Sequence, residues 1–216
     1  MEHSLPYRIG IGLMGGVFTA MFLVNLSLAG KCIIVKAIIH RRESEIMLTT
    51  ASVERLNQQI NLEQYSSNLY MQMSAWCDHQ GYTGCAAFLR EHALEELQHM
   101  YKLFDYVCET GAQAQLAAVA APPATYDSLA EVFRLIYEHE LMITRSINKL
   151  VAAALAEEDF STFQFLQWYV SEQHEEERLF KGILDKISVI GLEGKGIYFL
   201  DKEIRKLAGK SEAAVG

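Results

Sequence analysis

Carboxylates placed at helical spacing inside apolar segments constrain this chain more than any other feature. Six glutamates (Glu63, Glu96, Glu140, Glu172, Glu175 and Glu176) and one histidine, His99, lie among apolar or aromatic neighbours in four segments that each read as a long helix. Burying a carboxylate is costly unless it is paired or bound to a metal. Four helices that each turn carboxylates inward, one of them with a Glu-x-x-His step, are explained most economically by a dinuclear iron site inside a four-helix bundle.

The helices can be traced from the apolar periodicity. Val53, Leu56, Ile60, Leu62, Leu69, Met73 and Trp76 recur at mixed three- and four-residue spacing, which predicts a helix from Val53 to Cys77. Gly81 and Gly84 mark the next turn, and a second helix is expected from about Cys85 to Glu109, ending at Gly111. Residues 112–126, with Pro122-Pro123, are too long for a tight turn and suit a crossover that returns along the bundle. Asp127 or Ser128 should cap a third helix reaching about Glu157, and Ser161 should open a fourth running to about Ile190. After the glycines at 191, 194 and 196, a short fifth helix is expected from Ile197 to Leu207, then a flexible tail over 208–216. The fold class is therefore all-α: a four-helix bundle with a long crossover between its second and third helices and a short C-terminal helix.

Composition narrows the alternatives. The 216-residue chain contains only three prolines, which suits uninterrupted helices. Its four cysteines (Cys32, Cys77, Cys85 and Cys108) form no Cys-x-x-Cys pair and no zinc spacing. They read as reduced thiols of a cytosolic protein, with a Cys77–Cys85 disulfide as the lesser alternative. The net charge of −8 leaves no basic stripe for nucleic acid.

Residues 1–46 are unlike the rest. Ile9 to Gly30 is a run of 22 uncharged residues succeeded by Lys31, Lys36, Arg41 and Arg42. Three readings stand: a spurious upstream start with Met47 as the true one, a membrane segment with the rest of the chain in the cytoplasm, or a signal peptide with Arg8 before it and Ser27-Leu28-Ala29 as its cleavage triplet. The first is preferred, because Thr49, Thr50 and Ser52 supply helix-start chemistry just past Met47.

Glu96 and His99 are three residues apart and share one side of a helix. Alone that step is weak, but it has company. Glu63 lies two turns before Tyr70 on the same face, Glu140 comes directly after His139 in an apolar helix, and Glu172, Glu175 and Glu176 crowd like charges onto one face. Metal would relieve that repulsion, whereas Glu177 reads as solvated. Carboxylates with one imidazole suit iron better than zinc or copper. Tyr70 can hydrogen-bond a ligand or give up an electron, and serves equally well as a core tyrosine.

Several stretches carry a resemblance. Asn61-Leu62-Glu63-Gln64-Tyr65-Ser66-Ser67, Met73-Ser74-Ala75-Trp76-Cys77, Phe88 to Glu96, Phe165 to Glu177 and Gly196 to Glu203 resemble the bacterial non-haem ferritins, from Met47 to Leu207. The resemblance implies a ferritin-like di-iron domain in a cytoplasmic 24-subunit homo-oligomeric shell that stores ferric oxyhydroxide. Such a protein is a ferroxidase, oxidising Fe(II) with dioxygen or hydrogen peroxide. It further implies Glu63, Glu96 and His99 as ligands of the first iron with Glu96 bridging, and Glu140 and Glu176 as ligands of the second. Glu95, Glu172 and Glu175 with Glu176 correspond to a third iron site, and Tyr70 to the tyrosine beside the centre.

A haem-bearing bacterioferritin should show a second Glu-x-x-His, but Arg178 stands three residues after Glu175 and Leu179 three after Glu176, so no haem is expected. A rubrerythrin-like peroxidase would add a Cys-x-x-Cys module, which is absent. Two alternatives stay open: a non-catalytic storage subunit, and a di-iron carboxylate protein tethered to a membrane through residues 9–30.

Overall fold

The computed structural model describes residues 47–207, and these form five helices and no strand. They are α1 (Thr50–His79), α2 (Thr83–Glu109), α3 (Leu129–Ala156), α4 (Phe160–Ile190) and α5 (Lys195–Arg205). The expectations for 1–46, including the apolar run 9–30, and for the tail 208–216 fall outside the described residues. Among the described residues, no helix is long and apolar enough to cross a membrane.

Helix starts obey local chemistry. Thr49 caps α1 by accepting from the Ser52 amide at 3.1 Å, and Ser128, rather than Asp127, caps α3 by accepting from the Glu131 amide at 3.1 Å. The fourth helix begins at Phe160, one residue before the expected Ser161, because Asp159 accepts from the Thr162 amide. α5 spans Lys195–Arg205 instead of Ile197–Leu207, so it starts at once after Gly194.

The expected turn at Gly81 and Gly84 is half right. Gly81 adopts φ +86 and makes the turn, but Gly84 lies inside the first turn of α2. Its role is close approach: a Cβ at Gly84 would stand 2.2 Å from the Asp201 carbonyl oxygen of α5. α2 has no local side-chain cap. Asp201 caps it from a distance, accepting from the amides of Gly84 at 3.0 Å and Cys85 at 2.8 Å. The C-terminal helix is thereby fastened to the start of α2.

Two apolar clusters fix the helix directions. One joins Trp76 and Cys77 at the end of α1 to Phe88 and Leu89 early in α2, Val132 and Phe133 early in α3, and Phe180 and Ile183 late in α4. The other joins Leu56 and Ile60 to Leu103 and Val107, Ile147 and Leu150, and Leu166 and Tyr169. The start of α3 thus packs beside the start of α2, so these two run parallel, while α1 and α4 run the opposite way. The crossover is what allows this. It lies along α1, with Asn57 and Asn61 accepting from the amides of Gln115 and Ala117. Cys77 and Cys85 are free and buried, and burial pushes the Cys77 thiol up to about 12 and the Cys85 thiol further, so both stay protonated.

Candidate metal centre

Between the two apolar clusters the bundle interior turns polar. Glu63 from α1, Glu96 and His99 from α2, Glu140 from α3 and Glu176 from α4 are all buried there. One carboxylate oxygen of Glu63, one of Glu96 and one ring nitrogen of His99 lie within 4.8 Å of one another. Each arrives on its helix's inward stripe, continuing rows otherwise made of Ile60, Leu103 and Phe180.

Burial is the dominant influence on these groups. It raises Glu63 well above the carboxylate range, with the charges of Glu96 and Glu140 adding and His99 and Gln59 opposing. It raises Glu176 likewise, helped first by Glu140 and Glu96. The charges of Glu140 and Glu96 thus act on both Glu63 and Glu176. Glu140 is pushed up to about 7 by burial. For His99 burial works against the proton, but the carboxylate of Glu96, 3.4 Å from Nδ1, with Glu63 and Glu172, outweighs it and lifts the imidazole to about 9. Without a cation this site holds protons that its ligands would otherwise shed.

The surrounding contacts orient these side chains. Tyr70 donates a hydrogen bond to Glu140 Oε1, and Gln173 Nε2 donates to Glu140 Oε2 at 2.9 Å. Gln59 donates to Glu63 Oε1 at 2.8 Å and accepts from Ser146 at 2.6 Å. Tyr169 donates to the His99 carbonyl at 2.7 Å, and Trp168 stands edge-on to the His99 ring. Two carboxylate oxygens, Glu63 Oε2 and Glu176 Oε2, are buried with no hydrogen-bond partner. A buried, like-charged set with orphaned oxygens has the donor chemistry of a cation-binding site.

The third-site residues are less uniformly embedded. Glu95 and Glu172 are half-buried, and Glu175 is exposed on the same helix as Glu176. Glu172 is raised by burial, eased by His99 and reinforced by Glu175 and Glu95, so it shares the field of the centre. His139, next to Glu140, points elsewhere: its Nε2 lies 2.8 Å from the Ser66 hydroxyl, and burial lowers its proton affinity.

The family model described as the ferritin-like domain matches residues 53–190, the span that contains every one of these buried residues. The chain belongs to the ferritin family. Its curated relatives place it among the bacterial non-haem ferritins. It is 55% identical over 165 residues to a probable bacterial non-heme ferritin-like protein of Haemophilus influenzae, covering 76% of this chain and all of the relative. It is also 55% identical over 161 residues to a bacterial non-heme ferritin of Escherichia coli, covering 74% of this chain and 98% of the relative. Among solved structures, the open pore ferritin of the archaeon Archaeoglobus fulgidus superimposes with a TM-score of 0.72 at 43% identity, over 73% of this chain and 96% of that one.

Within this ferritin the structure adds residues that spacing alone does not single out. Gln59 sits one turn before Glu63, and Gln173 three residues before Glu176, each on the ligand's own face. That shared face is the signal that could have found them. His92 is buried seven residues before His99 on α2, with its Nδ1 2.7 Å from Glu95 Oε2.

Proposed function

We propose that this chain is the catalytic subunit of an iron store. It would oxidise ferrous iron at the buried centre and pass the ferric product to a cavity enclosed by a 24-subunit homo-oligomer in the cytoplasm. Ferrous iron is the substrate. Glu63, Glu96 and His99 take the first ion, Glu140 and Glu176 the second, and Glu96 reaches both. The observation that carries the reading is the buried polar layer itself: four inward carboxylates and one imidazole on four helices, with Glu63 Oε2 and Glu176 Oε2 left unpartnered.

The protein's own contribution lies in its electrostatics. Entry of a dication replaces the protons held by the buried carboxylates and the His99 imidazole, and so removes the repulsion that keeps those protons in place. Each ferrous ion gives one electron, and dioxygen takes the pair with two protons to leave as hydrogen peroxide, which can itself oxidise further ferrous iron. Tyr70 and Gln173 hold Glu140 from opposite oxygens, fixing its direction. The third ion of the proposal falls to Glu95, Glu172, Glu175 and Glu176. No haem is needed, because no residue supplies the second Glu-x-x-His. The complete ligand set favours a catalytic over a purely storing subunit.

Replacing Glu96 by Ala tests this. The rapid growth of ferric absorbance after mixing with ferrous iron and air should disappear while the oligomer, sized by gel filtration, is retained. An unchanged initial rate in an intact oligomer would overturn the assignment.

A further inference from the structure

Between α3 and α4 lies a cavity of about 240 Å³ to which the di-iron reading gives no role. Its rim carries Asn148 and His174, both exposed, and its floor is Gln173, which is 4% exposed. Thr144 and Glu177 are half-buried and come between rim and floor. A chain of polar contacts runs through these residues. Thr144 Oγ1 donates to Glu177 Oε1 at 2.6 Å and lies 3.5 Å from Gln173 Nε2, which donates to Glu140 Oε2 at 2.9 Å. The Gln173 amide thus stands between the cavity and the Glu140 carboxylate.

The sequence reads Glu177 as a solvated carboxylate, and its bond to Thr144 alone is compatible with that. Two observations go further. Glu177 lines a recess, and its charge reaches the centre, where it adds to the upward push that burial gives the Glu140 carboxyl. The recess has room for a cation with an inner shell of six waters, which fill roughly 180 Å³ at about 30 Å³ each. A hydroxyl, an amide and an imidazole can hydrogen-bond that shell without stripping it, and one carboxylate holds a dication weakly enough to release it.

We propose that this cavity is the port through which hydrated ferrous ions reach the second iron position, with Glu177 as the receiving carboxylate and Gln173 as the partition. A turn of the Gln173 side chain breaks its bond to Glu140 Oε2 and frees that oxygen for an ion arriving from the cavity. Glu140 stays held through Tyr70 at its other oxygen. The charge of Glu177 concentrates cations at the start of this route. A port sets how fast the centre fills and empties and leaves its affinity unchanged, which distinguishes it from a further metal ligand.

This inference rests on the proposed reading that the buried centre takes ferrous iron, and its test separates the two. Metal-free full-length protein is mixed anaerobically with cobalt(II) and followed by stopped-flow absorbance, as wild type, Glu177→Gln and Val170→Trp. The first variant removes the charge while its amide oxygen still accepts from Thr144; the second fills the cavity from an exposed wall. The loading rate should fall ~10-fold or more in each, with the number of cobalt ions bound per chain unchanged. Ferrous oxidation should slow in both variants at low iron and recover at saturating iron. Gel filtration reports that each variant has folded and assembled. A wild-type loading rate in either folded variant, or one ion fewer per chain in Glu177→Gln, overturns the port. Cobalt(II) loading slowed as expected, with no fast ferrous oxidation by the wild type, leaves the port standing and overturns the proposed function.

Discussion

Replacing Glu140 by Gln removes one buried negative charge while keeping size and shape, so its effect on the metal-free protein should depend on pH in a definite direction. Burial pushes the Glu140 carboxyl from 4.5 up to about 7, against the hydrogen bond from Gln173 and with the charge of Glu177. Between those values the folded chain binds a proton that the unfolded chain has released. Folding stability therefore falls as pH rises through that window. A gap of this size corresponds to about 3 kcal/mol at about 1.4 kcal/mol per unit. At about pH 5 the wild-type side chain is already neutral and the substitution should change little. Near pH 8 it should stabilise the metal-free protein by up to about 3 kcal/mol, somewhat less because the Gln173 amide must turn to accept a hydrogen bond. Tyr70 can still donate to the new amide oxygen. Urea unfolding of chelator-treated protein at both pH values measures the difference, and added zinc(II) should reverse its sign because the variant has lost a ligand. Equal effects at the two pH values, or destabilisation near pH 8, would refute the claim that Glu140 is held uncomfortably charged.

Other parts of the molecule give three further outcomes. Tyr70→Phe leaves Glu140 oriented by Gln173 alone, and the initial rate of ferrous oxidation should fall by ~10-fold or more in stopped-flow absorbance with the fold intact. Gly84→Ala places a methyl group against the Asp201 carbonyl, and should cost about 1–3 kcal/mol and expose α5 to faster amide exchange than the rest of the bundle. Glu158 holds φ +55 in the tight α3–α4 connection, so Glu158→Gly should leave stability unchanged or raise it by up to ~1 kcal/mol, read from the urea midpoint.

The helices and the buried layer of Glu63, Glu96, His99, Glu140 and Glu176 are legible in the sequence because both depend on local spacing. Ile60, Glu63 and Tyr70 lie on one stripe whatever packs against them, and Glu96 and His99 are one turn apart on any helix. His92 is illegible for the opposite reason. It is flanked by Glu91 and Glu95, and its burial comes from tertiary packing, with Phe180 of α4 closing over a ring that already lies against Phe88. Gly84 is opaque on the same grounds, since its need for a bare Cα comes from Asp201, more than a hundred residues away. The boundary shift at α4 is small, because a cap such as Asp159 acts one residue before the periodic run begins.

The central claim is that the rapid oxidation belongs to a defined pair of ions at the buried ligands. Metal-free protein mixed with increasing ferrous iron in air-saturated buffer tests it most directly. The amplitude of the fast ferric absorbance should rise and break at two ions per chain, and Glu96→Ala should abolish that phase while slower mineral growth continues. A fast phase that grows without a break, or survives in Glu96→Ala, would contradict the account.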